Sequence, residues 1–529
     1  MTNTPVNLPQ YAQNISLLLI QHPKLLALLA GALYPLGFAP YNAWPLTVGS
    51  ISILFYLLAK APPSPKQHIQ TGFFYGLGLF GCGIYWVNTS IHAYGNTPLI
   101  ASIPMTLIFI SFLSLLFAGM AWVFCKLRNK LAPSALFCTL WIAFEVIRST
   151  LLTGFPWLLA GYSLIDTWFA HYAPLVGIYG LSLLTAIMAT SGISLLSTKT
   201  PNSKKTQLLA TLLLCGLVGN ALQHRDWTHP LPSASLEVAL IQGNIDQNDK
   251  WSPDFYQRTL DTYETLSRSA LKPTQTETVD LLIWPEAAIP SFYHEAWQFI
   301  EKIDQLSTDH KTAWLTGVPK VDFSEQGEAL YFNAIISGGM ATGEYQKQKL
   351  VPFGEYIPLS NWLRELGPFF NLPMSSFSSG KPNQALLVAQ DLTIAPTICY
   401  EIVYPNFVRQ AAKGSNLLLT ISNDAWFGDS IAPHQHFQIA RMRALETGRM
   451  LIRSTNTGIT GFVNEKGKTL ATAPSFSQAV LQHKIIPFTG NTPYMYWGDT
   501  PIIALCILLF LYSAFKRNQH GHHNRKPNN

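Results

Sequence analysis

Apolar runs fill most of the first 222 residues and then stop. They lie near 25–40, 44–59, 72–90, 99–125, 133–153, 173–196 and 207–222, and one more follows near 500–515. An α-helix rises 1.5 Å per residue and needs roughly 20 apolar residues to cross a bilayer. The pattern therefore predicts a membrane bundle of eight spans. The first two runs are short and separated only by residues 41–43, which predicts a tight hairpin. Residues 15–20 are cut off by Gln21, His22, Pro23 and Lys24 and read as an interfacial lead-in. The stretch from Met1 to Gln13 is polar and lacks basic residues, a pattern that predicts no cleaved signal peptide.

Between 224 and 499 the period changes. Runs at 235–245, 281–289, 312–318, 333–338, 392–398 and 417–422 are short, mostly apolar and often β-branched, so they predict strands. Stretches at 252–270, 300–306 and 437–445 predict helices. Strands alternating with helices indicate an α/β domain. Residues 462–470 and 478–485 read as closing strands, with a tight turn possible at Lys466 and Gly467. The chain thus divides into a membrane part at 1–223 with seven helices, an extramembrane domain at 224–499, and a last helix with a polar tail at 500–529.

Charge sharpens this division. Only Glu145 and Asp166, of 29 acidic residues, precede Asp226. Charged residues make up 12% of the chain, about half the usual share of a soluble protein. The net charge of +6 does not mark a nucleic-acid surface, because the excess cations sit in short loops between apolar runs. They are Lys60 and Lys66, then Lys126, Arg128 and Lys130, then Lys199, Lys204 and Lys205, and finally Lys516, Arg517, Arg525 and Lys526. The loops at 41–43 and 91–97 carry no Lys or Arg. Such charge stays cytoplasmic, so the four groups agree only with eight spans and both termini inside. Residues 224–499 are then expected outside the cytoplasm. Glu145 and Arg148, three apart on a predicted helix, read either as a structural pair or as a contact for a lipid headgroup.

Five of the six cysteines, Cys82, Cys125, Cys138, Cys215 and Cys506, lie in or beside apolar runs and read as packing residues. Cys399 stands alone in the outer domain, without a disulfide partner there. A lone thiol in an oxidising compartment points to chemistry. Three segments strengthen that reading. Leu281-Leu282-Ile283-Trp284-Pro285-Glu286 is a strand-like run ending in a carboxylate. The stretch from Tyr345 to Tyr356 carries Lys347 and Glu355, and Thr397-Ile398-Cys399-Tyr400-Glu401 carries the thiol. His434 and His436 lack the further ligands of a zinc site and read as structural, so no metal or other cofactor is expected.

Together these segments resemble the nitrilase superfamily, whose members use Glu, Lys and Cys in that order. The match is closer to one branch, the apolipoprotein N-acyltransferases of bacterial envelopes. Further support comes from Gly154-Phe155-Pro156-Trp157, from Ser422 to Gly428, and from Arg441 to Glu446 leading to Thr455-Asn456-Thr457-Gly458. The resemblance implies an αββα sandwich inserted before the last of eight spans. It makes Cys399 the nucleophile and Glu286 the proton acceptor. Lys347, with the backbone N–H of Tyr400, would hold the oxyanion. A free thiol is only a few per cent ionised at neutral pH, so it needs such a base. Glu355 is expected to support the site, and Trp251, Trp157 and Gly154 to lie near substrate. Tyr400 and Glu401 stay open between scaffold and site.

The implied reaction moves a fatty acyl chain from a phospholipid, with phosphatidylethanolamine as the expected donor, through a Cys399 thioester. The acceptor is the α-amino group of the N-terminal S-diacylglyceryl-cysteine of an apolipoprotein, in the last step of lipoprotein maturation. The resemblance also implies a monomer of the bacterial inner membrane with a periplasmic catalytic domain. Phe369, Phe370, Leu372 and Met374 are expected to dip into the interface. A membrane-tethered amidase shares the triad but does not require eight spans. A transporter or receptor leaves the triad unexplained.

Overall fold

The computed structural model describes residues 22–95, 97–272, 278–352, 354–356 and 377–523. The N-terminal lead-in and Phe369, Phe370, Leu372 and Met374 lie outside these described residues. The apolar runs become helices α1 (Pro23–Leu33), α2 (Trp44–Lys60), α3 (Pro65–Gly83), α4 (Leu99–Leu127), α5 (Pro133–Thr150), α6 (Ala173–Leu196) and α7 (Asn202–Leu222). Four stretches among the described residues, 99–127, 133–153, 168–196 and 202–222, are long and apolar enough to cross a membrane. Shorter apolar helices cover 23–37, 44–60 and 500–512.

Boundaries differ from the hydropathy pattern where polar residues hide inside the bundle. The run predicted at 72–90 is a helix that begins at Pro65, where the Ser64 hydroxyl accepts from the Gln67 N–H. Its first turns hold His68, which is buried with both ring nitrogens near backbone carbonyls of Ser64 and Leu58. A polar side chain satisfied in this way is tolerated at depth, although it lowers the hydropathy of the run. The run predicted at 25–40 leaves α-helical geometry at Leu33 and continues as a tighter turn, Tyr34–Gly37. Helices α1 and α3 touch through glycine. A Cβ on Gly31 would lie 2.0 Å from the Tyr75 carbonyl, and one on Gly78 2.0 Å from that of Leu28. Small residues at such contacts let two backbones approach closely.

Residues 236–485 form a two-sheet sandwich. Its elements are β1 (Leu236–Gln242), α8 (Pro253–Ala270), β2 (Leu281–Ile283), α9 (Trp297–Asp309), β3 (Ala313–Phe323), β4 (Ala329–Gly339), β5 (Ala341–Thr342) and β6 (Glu344–Gln346). There follow β7 (Leu387–Ala389), β8 (Leu392–Ile398), α10 (Pro405–Ala411), β9 (Leu417–Ser422), α11 (Ala432–Thr447), β10 (Leu451–Thr455), β11 (Gly461–Val463), β12 (Thr469–Thr472) and β13 (Ala479–Ile485), and beyond the sandwich lies the last apolar helix, α12 (Thr500–His523). Among the described residues one sheet runs β13-β1-β2-β3-β4-β6 and the other β12-β11-β10-β9-β8-β7-β5. The closing segment at 462–470 is the hairpin β11–β12, and the turn expected at Lys466 and Gly467 is there, with Gly467 at φ +74°.

Alternation along the strands builds the layers. Leu236, Val238 and Leu240 of β1 meet Ile394 and Ile398 of β8 and Leu417, Leu419 and Ile421 of β9 between the sheets. The alternate residues Ala239 and Ile241 face outward against Leu260 of α8 and Ile300 of α9. On the other side, Ala395, Leu418 and Leu451 face α10 and α11, in a core continuous with the membrane helices. Helix α11 is buried almost throughout, polar residues included. Three of those polar residues reach the membrane part. Gln435 accepts from the Trp157 indole at 2.6 Å, Gln438 from the Ala39 N–H at 3.2 Å, and Glu446 from the Ile178 N–H at 2.8 Å.

Candidate active site

The sheets bring three strand ends together. Glu286 lies three residues past β2, Lys347 directly follows β6, and Cys399 directly follows β8. Glu286 and Cys399 lie past the carboxyl ends of strands that pair in parallel, where α/β folds gather their ligands, and Lys347 follows an antiparallel strand. Lys347 is fixed by its N–H to the Asn333 carbonyl at 2.8 Å and by its carbonyl to the Gly380 N–H at 2.8 Å. Its ammonium lies 2.7 Å from Glu355 and 3.5 Å from Glu286. Asn333 of β4 donates to both carboxylates, at 2.7 Å to Glu286 and 3.3 Å to Glu355. The other Glu286 oxygen accepts from the Asn423 N–H at 2.7 Å, just past β9. Glu355 also accepts from the Val351 N–H at 2.8 Å, closing its own loop.

Cys399 turns the chain with φ +52°, a left-handed conformation that costs a non-glycine residue about 1–3 kcal/mol. The turn lifts the thiol off the end of β8. Burial pushes the Cys399 pKa up, and the Glu286 carboxylate pushes it further, while Lys347 opposes both. The thiol is therefore protonated at rest and needs a base to become nucleophilic. For Lys347, burial works against the charged form, but Glu355 and Glu286 outweigh it and raise the pKa. The result is a fixed ammonium beside the thiol.

Glu401 ties two of these loops together. Its carboxylate accepts from the N–H groups of Gln348 at 2.7 Å and Lys349 at 3.0 Å, beside Lys347. It also accepts from the Ile398 N–H at 2.8 Å, beside Cys399, and from the Tyr345 hydroxyl at 2.9 Å. Tyr400 joins the thiol's turn to the membrane part. Its hydroxyl donates to the Gly154 carbonyl at 3.2 Å, and Tyr404 donates to the same oxygen at 3.4 Å. Trp157 stacks near Tyr400, with centroids 6.5 Å apart and planes 11° apart. Glu145 and Arg148 hold this loop rather than each other. Glu145 accepts from the Ala160 N–H at 2.8 Å, and Arg148 donates to the carbonyls of Trp157 and Leu158.

Trp251 is partly exposed and touches neither Glu286 nor Cys399 in any hydrogen bond or ring contact. Its neighbour Lys250 is buried and donates to the Glu286 carbonyl at 3.2 Å. Burial lowers the Lys250 pKa to about 8, against the attraction of Glu286. No sequence pattern marks Lys250 or Asn333, whereas Asn423 lies inside the motif from Ser422 to Gly428. Nothing in the spacing of Asn333 marks it, since the strand pairing alone brings it to Glu286.

Residues 30–191 match the family model described as apolipoprotein N-acyltransferase N-terminal domain, and residues 237–492 match that of carbon-nitrogen hydrolase. An apolipoprotein N-acyltransferase of Azotobacter vinelandii is 43% identical over 498 residues, 93% of this chain and 95% of its own. One of Pseudomonas syringae pv. tomato is 40% identical, over 92% of this chain and 95% of its own. The chain belongs to the apolipoprotein N-acyltransferase family. It is accordingly an N-acyltransferase, and its apolar helices mark it as a bacterial membrane protein. A solved carbon-nitrogen hydrolase from Helicobacter pylori G27 is similar at 16% identity, with a TM-score of 0.36, over 47% of this chain and 88% of its own. The carbon-nitrogen hydrolase match spans Glu286, Lys347 and Cys399.

Proposed function

We propose that the chain transfers a fatty acyl chain from a phospholipid to the N-terminal S-diacylglyceryl-cysteine of an apolipoprotein, by a ping-pong route through a Cys399 thioester. The observation that carries the reading is one buried ammonium, Lys347, held between Glu286 and Glu355 beside Cys399. Glu286 takes the proton from Cys399 as Sγ attacks the ester carbonyl of the donor. The oxyanion that forms is held by the Lys347 ammonium and the Tyr400 N–H; one such donor is worth about 3–4 kcal/mol in acyl transfer. The ester C–O bond then breaks, and the departing lysophospholipid oxygen takes the proton back from Glu286.

In the second stage the acceptor's amine attacks the thioester. Glu286 takes the amine proton, the C–S bond breaks, and the proton passes to the leaving sulfur. An amide replaces an ester, so no nucleoside triphosphate is consumed. Phosphatidylethanolamine is the proposed donor. Moving acyl chains into water costs roughly 0.8 kcal/mol per CH₂, which favours a thiol mounted at the bilayer. The contacts of Tyr400 and Tyr404 with Gly154 are consistent with such a mounting.

We further propose eight spans, both termini in the cytoplasm, a periplasmic domain at 224–499 and a monomeric enzyme of the inner membrane. The basic loops support this topology. Arg128, after α4, donates to the Leu58 carbonyl at the end of α2 at 2.7 Å, so two of the basic loops lie at one end of the bundle.

Mass spectrometry of the purified protein incubated with phosphatidylethanolamine tests the reading. An acyl adduct is expected on Cys399, removed by hydroxylamine and absent in Cys399→Ala. An adduct on any other residue would overturn it.

A further inference from the structure

The buried imidazole of His436 has not been given a part in the chemistry, yet it touches the nucleophile's own backbone. Its Nε2 lies 3.2 Å from the carbonyl oxygen of Cys399. That oxygen can only accept, so Nε2 carries the hydrogen. On the far side of the ring, Nδ1 lies 3.0 Å from Arg453 Nη2, which can only donate. Asp424 sits beside them, its Oδ1 3.0 Å from Nδ1 and 2.7 Å from the Ser422 hydroxyl, its Oδ2 2.7 Å from Arg453. Trp157 and Phe427 pack on the ring, with centroids 5.5 and 6.1 Å away. The imidazole is thus held in one orientation on all sides. Burial and the Arg453 charge lower its pKa, while Asp424, whose Oδ1 can only accept from Nδ1, raises it; Nε2 carries its hydrogen whether or not Nδ1 does.

The contact matters because of which peptide it grips. The carbonyl of Cys399 and the N–H of Tyr400 belong to one peptide unit, and that unit is trans. In a trans peptide the C=O and N–H point in opposite directions in one plane. Fixing the carbonyl therefore aims the N–H. A hydrogen bond to the carbonyl also polarises the unit and strengthens its N–H as a donor. The residue at stake is strained, since Cys399 has φ +52°. A strained turn persists only where its surroundings over-determine it.

We propose that His436 is a positioning residue, whose Nε2–H locks the Cys399–Tyr400 peptide so that the Tyr400 N–H faces the oxyanion of the acyl group. This rests on the thioester reading above. Arg453 and Asp424 hold the ring, and Trp157 carries the lock to the membrane part.

The test compares His436→Phe, which keeps the ring but has no donor, with His436→Gln, which keeps an N–H. Two readouts are taken on the full-length protein in detergent. One is the rate of Cys399 adduct formation from phosphatidylethanolamine, and the other is the infrared band of a ¹³C-labelled acyl carbonyl on the enzyme. His436→Phe is expected to slow acylation by about 10²-fold and to move the carbonyl band to higher wavenumber. Iodoacetamide alkylation of Cys399 should be unchanged, and His436→Gln should recover part of the rate. A wild-type band and rate in His436→Phe would overturn the proposal, as would equal losses of alkylation and acylation. If His436→Phe does not fold, ¹⁵N-histidine spectra of the unmodified enzyme, assigned against His436→Gln, decide the matter. A protonated Nε2 supports the lock and a bare Nε2 overturns it. Absence of any Cys399 adduct in the unmodified enzyme would instead sink the thioester reading, while the protonation of His436 could still be read.

Discussion

Lys347 and Glu355 meet at 2.7 Å inside the site, closer than Lys347 meets Glu286 at 3.5 Å. The carboxylate nearest the ammonium is thus the one that takes no proton in the proposed reaction. Glu355 holds Lys347 most closely, while Glu286 is held by Asn333 at one oxygen and by the Asn423 N–H at the other. Glu355→Gln should slow Cys399 adduct formation by about 10–100-fold. It should also lower stability by about 1–3 kcal/mol, because a buried charged group loses a partner. An adduct time course and a thermal melt check both, and an unchanged time course would count against the assignment. The Lys347 pKa is raised on folding, so its stabilising contribution is complete below the unfolded value of about 10.4 and is lost only as pH rises through the higher folded value. In the unmodified enzyme the Lys347 charge should therefore persist between neutral pH and pH 9, whereas Glu355→Gln removes the largest influence that raises its pKa and leaves burial to lower it.

Glu401 offers a sharper dependence on pH. Burial pushes its pKa up to about 7, against the lowering effect of the Ile398 and Lys349 N–H groups, Lys347 and the Gln348 N–H. Every neighbour bonded to it is a donor, so only the carboxylate satisfies them all. Protonation would loosen the Lys347 loop and the Cys399 turn at once. Adduct formation should show an acid limb near pH 7, and Glu401→Gln should flatten that limb and lower the plateau. Stability runs the other way for this group. Its folded pKa lies above the ordinary 4.5, so its contribution is fully present below about 4.5 and is lost as pH rises through about 7. An acid limb that survives in Glu401→Gln would assign the titration elsewhere.

The three residues proposed for catalysis stand out in the sequence because each lies at the end of a local motif. Trp284-Pro285-Glu286 ends a strand, and Cys399 follows the apolar run 392–398, which is β8 residue for residue. Helix–strand alternation gave the order of elements for the same reason, since the layers of the sandwich repeat the period of the sequence. What could not be read is contact between distant segments. Asn333 reaches Glu286 only because β3 and β4 pair, and Asn423 reaches it from the opposite sheet. Glu145 and Arg148 have the spacing of a helical pair, yet each is used on the loop at 157–160, which no local pattern marks. Helix α11 was read only as 437–445, because burial on every face removes the amphipathic period.

Gly154 is the point where this loop meets the Cys399 turn, through Tyr400. Its φ is +89°, and a Cβ there would lie 2.0 Å from the Ser149 carbonyl. Gly154→Ala should cost about 1–3 kcal/mol in strain and displace the carbonyl that Tyr400 and Tyr404 share. Tyr404→Phe removes only the longer of the two bonds and should be milder. Turnover with phospholipid and a diacylated peptide should therefore fall further in Gly154→Ala than in Tyr404→Phe. The reverse order would show that the shared carbonyl does not position Tyr400.

Lys250 separates stability from activity. Its ammonium is buried with the Glu286 carbonyl as its hydrogen-bond acceptor, and burial lowers its pKa from 10.5 to about 8. The folded chain binds this proton less tightly than the unfolded chain does. Stability is therefore reduced below about pH 8 and rises between about 8 and 10.5 as the group loses its proton in the folded state. Lys250→Met removes the desolvation penalty, so it should melt no lower than the unmodified protein at pH 7 and should lack the rise above pH 8. It also cuts the tie between the Glu286 backbone and the loop bearing Trp251. Adduct formation should then fall even though the fold is as stable. Lys250→Arg keeps a donor but needs more room, so it should lose stability instead. Thermal melts from pH 6 to 10.5 beside adduct rates separate the two effects. A Lys250→Met protein that is both destabilised at pH 7 and fully active would mean the ammonium braces the fold and has no hold on Glu286.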